Sequence, residues 1–253
     1  MSHTSPGRLV VLSGPSCAGK SPLAKALAKF HAVLFARLQP LVLYNCREPR
    51  PGERDGIDYH FRTREQVEAL RGDGRCAVLD VRGDLQALDL HSLQELSSQG
   101  DVFFEGNPMV GRTILSHPSL AHFPRMSAFL APLSAEEIAF LRAPNRNINL
   151  KDLVTDVMRR KLLRRTRRQK GELSLKDLEN IERRAGSAYS ELRLAPYFEN
   201  VIPNHDGEDS ENWDAFYYPL GDARKALDAF VALLEGRTSP HIEKWDADLL
   251  PDL

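Results

Sequence analysis

Cysteine is scarce in this chain. The three present, Cys17, Cys46 and Cys76, are odd in number and have no metal-ligand spacing. That argues against a disulfide scaffold or a zinc module and suits a reducing compartment. Long hydrophobic runs are also missing: no stretch approaches the ~18 apolar residues that span a bilayer, and none opens the chain. Neither membrane insertion nor secretion is therefore expected, and the cytoplasm is the default location. An excess of one charge sign is absent too. The formal net charge is −1, so the overall balance calls for neither nucleic acid nor a membrane surface as partner. His60, His91, His117 and His122 lie in no Cys/His/Asp constellation, and neither a repeat nor a low-complexity tract stands out. What remains is a chain of 253 residues, able to bury a substantial core and sized for one α/β domain with insertions.

The most informative stretch is Arg8-Leu-Val-Val-Leu-Ser-Gly-Pro-Ser-Cys-Ala-Gly-Lys-Ser-Pro-Leu-Ala24. An apolar strand runs into Gly14-x-x-x-x-Gly19-Lys20-Ser21 and then into a helix. Gly14 and Gly19 permit a tight turn whose N–H groups converge on an anion. Pro15, Ser16, Cys17 and Ala18 complete the cradle. Lys20 brings a positive charge for the β- and γ-phosphates and is expected to face solvent without ligand. The Ser21 hydroxyl can ligate Mg²⁺, and the helix directs its positive end at the same anion. Pro22 falls in the first helical turn, where its missing N–H costs little. The spacing and its strand–loop–helix setting both fit a phosphate cradle.

A second stretch, Asn45 to Phe61, sets Arg47 and Arg50 on either side of Pro49, with Glu53 close behind. Prolines and glycines at 49, 51, 52 and 56 make this irregular, stiff chain. Stiff loops hold guanidinium forks at fixed geometry, which suits bidentate capture of phosphate or carboxylate. Tyr59 offers a hydroxyl to the same anion. A solvated charged loop of Arg–Glu pairs would read the same way.

Strand–helix alternation predicts a parallel sheet with helices on both faces. Strands are expected at 9–13, 39–46, 101–106, 126–131 and 198–203, and core helices at 19–30, 134–142, 174–193 and 221–236. Thr63 begins a further helix with Gln66 as its capping-box partner. Residues 237–253 read as an acidic tail with Trp245, packed on the surface. Residues 145–184 hold a dense basic run, Arg159 to Lys170, followed by Arg183-Arg184. Most of those charges read as a solvated helix face; a nucleic-acid patch is the other general reading. Glu105 and Asn107 sit at a strand's carboxyl end, where ligands bind in such sheets. Asp80, Asp84 and Asp89 follow the arginine loop and read either as contacts to a ligand's polar groups or as surface acids.

Taken together, the two motifs resemble guanylate kinases. The family's phosphate loop, Ser-Gly-Pro-Ser-Gly-x-Gly-Lys-Ser-Thr, is matched by Ser13 to Pro22. Its acceptor motif, Thr-Thr-Arg-x-Pro-Arg-x-Gly-Glu-x-x-Gly-x-Asp-Tyr-x-Phe, is matched by Asn45 to Phe61. Ala128–Ile138, Ile181–Leu192 and Phe198–Asn204 resemble later family segments in the right order, so the likeness touches most of residues 8–236. It implies a three-layer P-loop kinase fold: a central parallel sheet, an inserted acceptor-binding subdomain and a helical lid. The expected organisation is one domain, with core 8–43, 101–144 and 185–236, acceptor insertion 44–100, lid 145–184 and tail 237–253.

The resemblance implies ATP and Mg²⁺ as cofactors, the latter on Ser21, and a phosphorylated small molecule as acceptor on Arg47, Arg50, Glu53, Tyr59, Asp80 and Glu105. Lys20, Arg184 and a lid arginine, Arg168 foremost with Arg167 and Lys170 beside it, would stabilise the transferring phosphoryl group. The chain departs from the family in the lead-in Leu43 to Arg47, at Asn107 where an Asp is usual, and most of all in the base-reading segment. Val78 falls where the guanine-reading carboxylate is expected, unless Asp80 serves instead, and no Tyr-Gly pair follows. The expected acceptor is a nucleoside monophosphate or related nucleotide with guanine reading lost. A sugar-phosphate kinase of the ribose bisphosphate type is the alternative, and a non-catalytic phospho-ligand module a further one, against which the intact Gly19-Lys20-Ser21 argues.

Overall fold

A computed structural model describes residues 7–49, 52–72 and 74–250. Leu9–Ser13 forms β1, buried throughout, and Lys20–Phe30 is α1, followed by the short α2 (Ala32–Phe35). Three brief strands come next: β2 (Leu38–Pro40), β3 (Tyr44–Asn45) and β4 (His60–Phe61). α3 (Arg64–Ala69) precedes the hairpin of β5 (Cys76–Val81) and β6 (Asp84–Asp89). α4 (Leu90–Ser97), β7 (Asp101–Gly106), α5 (Pro108–Ser116), β8 (Arg125–Ala131) and α6 (Ala135–Leu141) then alternate. α7 (Leu150–Lys170), α8 (Leu175–Gly186), α9 (Ala188–Leu192), β9 (Asn200–Pro203) and α10 (Gly221–Leu234) complete the order.

The strands form a five-stranded sheet of order β2-β7-β1-β8-β9 and a four-stranded sheet of order β4-β3-β6-β5. The larger one is the central parallel sheet of an α/β fold, its β2–β7 and β8–β9 pairs both parallel. No helix among the described residues is long and apolar enough to cross a membrane. Contacts divide the chain into two compact units.

The first unit holds the described residues up to Val11 together with Arg37–Phe104 and Met109–Arg125. The segment expected as one strand, 39–46, is two strands in two sheets, β2 and β3. Pro40 is tolerated because β2 is an edge strand, and the next ladder bond is donated by Leu41 N–H to the Phe103 carbonyl. α3 starts as expected: Thr63 Oγ1 accepts from Gln66 N–H, and Gln66 Oε1 accepts from Thr63 N–H. Val67 on that helix packs with Leu85 and Ala87 of β6, joined by Cys76 and Val78 of β5. Arg82 and Gly83 both take positive φ, 58° and 86°, the geometry of a two-residue hairpin turn matched to strand twist.

The second unit comprises Leu12–Ala36, Glu105–Pro108 and the chain from Met126 onward. Its core rests on β8, β9 and α10, whose Ala223, Ala226, Leu227 and Phe230 are fully buried. Truncating a fully buried Phe such as Phe230 to Ala costs roughly 3–5 kcal/mol. The expected helix 174–193 is interrupted, and α8 gives way to α9 at Ser187. The Ser187 hydroxyl hydrogen-bonds to the Arg184 carbonyl and the Glu191 carboxylate, competing with the backbone ladder. The tail with Trp245 packs on the protein. The Trp245 side chain is buried, its indole N–H donates to Glu243, and Glu243 itself pairs with Val201 beside the sheet.

Candidate active site

The phosphate loop belongs to the second unit and leaves β1 for α1. Gly19 is the helix N-cap with φ 101°, and a Cβ there would stand 2.5 Å from Asn204 Nδ2 and 2.7 Å from the Asp206 carbonyl oxygen. Only glycine fits. Cys17 takes φ 68° without being glycine, a conformation that costs a non-glycine residue about 1 kcal/mol or more. Burial, reinforced by the charge of Glu208, pushes its thiol up to about 12, so it stays protonated. Lys20 is buried rather than facing solvent as the sequence suggested. Its Nζ donates to the Gly14 and Pro15 carbonyls at 2.9 and 2.8 Å, folding the ammonium back across the turn.

Two further predicted residues reach the loop. Arg184, buried on α8, donates from Nε to Ser16 Oγ at 3.0 Å. Glu105, at the carboxyl end of β7, accepts the Ser21 hydroxyl proton at 2.7 Å. Burial raises the Glu105 pKa, against the Ser21 hydrogen bond and the Lys20 charge that lower it. A hydroxyl beside a carboxylate is a hard-oxygen donor pair, which fits Mg²⁺. That ion takes one or two protein ligands and leaves its other positions to water and phosphate. Asn107 donates to the buried Glu191 at 3.1 Å.

Other groups at the loop escaped the sequence reading. Asn204 Nδ2 donates to the Ala18 carbonyl, and Glu208 Oε2 accepts from Gly19 N–H. Asp209 pairs with Lys161 at 3.5 Å and Arg164 at 2.8 Å. On α7 the buried face runs through Leu150, Val154, Met158, Lys161 and Leu162, so the basic run is not solvated throughout. Arg165 Nε is buried without a hydrogen-bond partner among the described residues, and its charge acts on Cys17. Arg168 is exposed instead and pairs with Glu211 at 3.4 Å. Lys170 pairs with Asp177. The four-residue periodicity inside the run is the signal that could have picked out Lys161 and Arg165.

In the first unit, Arg47 forms a two-pronged pair with Glu53 and lies over the Tyr59 ring at 5.0 Å. Burial lowers the Arg47 pKa but Glu53 more than offsets it, holding the guanidinium charged. The loop is tied by its own carboxylates: Asp58 accepts from Arg54 N–H and Asp55 from Phe61 N–H. Arg50 lies outside the described residues. Asp80 Oδ1 accepts from Gly83 N–H within the hairpin turn, and Val78 packs into the small core under α3. Among the described residues, no three His, Cys, Asp or Glu side chains are grouped to hold a metal ion.

A family model described as guanylate kinase matches residues 6–84. The guanylate kinase of Synechococcus sp. (strain JA-3-3Ab) is 31% identical over 216 residues, 84% of this chain and 83% of that one. That of Rhodococcus jostii (strain RHA1) is 27% identical over 232 residues, 91% of this chain and 88% of that one. Among solved structures, guanylate kinase from Anaplasma phagocytophilum covers 92% of this chain and 87% of its own with a TM-score of 0.53. At 18% identity that likeness speaks for the fold.

Proposed function

The chain belongs to the guanylate kinase family and is a P-loop nucleotide kinase, and from that premise we propose that it transfers the γ-phosphate of ATP to a phosphate-bearing acceptor of the nucleoside monophosphate class. One observation carries the reading: the Gly14–Ser21 loop is complete, and Arg184 is hydrogen-bonded into it. The loop's N–H groups and Lys20 hold the donor phosphates. Arg184 then adds positive charge where negative charge develops during transfer. Mg²⁺, held by Ser21 with Glu105 beside it, would neutralise phosphate charge. Arg47, oriented by Glu53, holds the acceptor's own phosphate, joined by Tyr59 and Arg50. No covalent enzyme intermediate is needed. In this scheme residues 44–100 serve as the acceptor region and 145–184 as the lid, in a cytoplasmic enzyme.

The finer proposal is that guanine is no longer read. Val78 packs against Val67, Leu85 and Ala87, and the Asp80 carboxylate is engaged in its own hairpin turn. Val78 offers no acceptor for guanine's N1–H and amino group, the Asp80 carboxylate is held in its turn through Oδ1, and each donor left desolvated costs about 1–3 kcal/mol. The same observation favours a second reading, a sugar-phosphate acceptor. Steady-state kinetics with GMP, dGMP, AMP, CMP, UMP and ribose phosphates test both. A GMP kcat/KM in the ordinary enzymatic range of roughly 10⁴–10⁸ M⁻¹s⁻¹, well above the others, would overturn the loss of guanine reading. No transfer to any phosphorylated acceptor would overturn the acceptor proposal.

A further inference from the structure

The segment that follows β9 is laid on the phosphate loop. Asn204 reaches the Ala18 carbonyl at 2.8 Å. Gly207 comes so close that a Cβ on it would stand 2.1 Å from the Cys17 carbonyl oxygen. Beside them, Glu208 Oε2 accepts the Gly19 N–H at 3.0 Å. That N–H is one of the backbone donors a Gly-x-x-x-x-Gly-Lys-Ser loop directs at phosphate, so the carboxylate oxygen stands where a phosphate oxygen would be bound.

The base of this strap is firmly built. Asp206 accepts from Ser210 Oγ at 2.7 Å, from Asn212 Nδ2 at 3.0 Å and from Ala223 N–H at 3.0 Å. The buried Trp213 donates its indole N–H to the Asp206 carbonyl at 2.8 Å. Asp209, next in sequence, is held by Arg164 and Lys161 of α7. Glu208 is thus presented to the cradle by a framework that does not depend on its own contact, and rotation of one side chain frees the donor.

We propose that Glu208 is an intramolecular latch on the donor site. The free enzyme fills part of its phosphate cradle with its own carboxylate, and a nucleoside triphosphate binds by displacing it while the strap's base stays in place. This rests on the reading of the same loop as the donor site. The latch divides the intrinsic affinity by the fraction of molecules that are open, so a latch closed nine-tenths of the time weakens apparent donor binding about tenfold.

The test is calorimetric titration of ATP and of tripolyphosphate into the full chain and into Glu208→Ala and Glu208→Asp, all shown to remain folded by thermal melting. Alanine removes the contact and the charge. Aspartate keeps the charge but, one methylene shorter on a fixed base, loses the reach to Gly19. Both variants are expected to bind either ligand about tenfold more tightly, and both should shift the Gly19 amide resonance in the ligand-free protein. Tightening by alanine but not by aspartate would reduce Glu208 to a general repulsive charge and overturn the latch. Unchanged or weaker binding in both would overturn it as well. No acceptor enters this measurement, so an error in the acceptor assignment would appear only in turnover assays, with ATP binding intact.

Discussion

The guanidinium of Arg47 and the carboxylate of Glu53 meet through two parallel hydrogen bonds, Nη1 to Oε2 at 2.6 Å and Nη2 to Oε1 at 2.7 Å. The pair fixes the plane of the guanidinium above the Tyr59 ring. An ammonium cannot reproduce that fork. Arg47→Lys is therefore expected to raise the acceptor KM by roughly 10- to 100-fold, the range for a charge-assisted hydrogen bond, with ATP affinity unchanged. Glu53→Gln should move KM in the same direction by a smaller factor, since it loosens the fork without removing the charge. Equal loss of ATP binding in a calorimetric titration of Arg47→Lys would place the arginine on the donor side.

Lys20 braces this loop and is proposed to act on the transferring phosphate, and its removal should show both. Its ammonium ties the Gly14 and Pro15 carbonyls, so Lys20→Ala leaves two acceptors without that donor. A loss of about 1–3 kcal/mol in stability is expected, together with a fall in kcat of roughly 10²-fold or more. Thermal melting and single-turnover rates separate the two effects. Near-wild-type turnover would contradict the role of Lys20 at the transferring phosphate.

A pH dependence is expected from His205, clamped between Asp222 at 2.5 Å and Glu137 at 2.8 Å. Burial pulls its pKa down, but the Asp222 hydrogen bond and the Glu137 charge outweigh that and set it above the ordinary 6.5. A raised histidine contributes stability in full below pH 6.5 and loses it as pH climbs through the raised value. Asp222 runs the other way. Burial would raise it, yet Lys225 and His205 hold it below 3.8, so its contribution lasts until pH falls through that lowered value. Between pH 6 and 8 the wild-type Tm should therefore fall relative to His205→Gln. Parallel Tm curves over that interval would show that the clamp contributes nothing.

Gly207→Ala should disturb the strap more than any other single methyl group there. The added carbon would meet the Cys17 backbone carbonyl at 2.1 Å, and backbone yields far less readily than a side-chain tip. Overpacking of this kind costs about 1–3 kcal/mol, a fall in Tm of several degrees for a chain of this size. A Tm within a degree of wild type would mean that the strap rides freely over the loop.

Elements with strong local signals were legible in the chain. β1 is a run of five apolar or small residues before a glycine, α3 carries a reciprocal Thr63–Gln66 cap, and the Gly14–Ser21 spacing encodes its own turn. The 39–46 segment was not legible, because its apolar pattern is continuous while its two halves pair with different partners. The tail's packing is legible only in outline, since an acidic composition cannot reveal that Glu243 bridges to Val201.

The sequence by itself determined the family, the α/β order and the phosphate loop, because each depends on residues close enough along the chain to set their own φ, ψ and hydrogen bonds. Tertiary structure decided the contacts that charges make with that loop: the resemblance pointed to Arg184 but not to its bond with Ser16, and nothing pointed to Glu208. Arg184 reaches Ser16 across 168 positions and Glu208 reaches Gly19 across 189. Lys161, buried in the middle of a basic run, was separated from its solvated neighbours only by the face of α7 that packs inward. Such pairings are fixed by how helices and strands stack; the four-residue periodicity of α7 marks which of its charges turn inward, not what they meet.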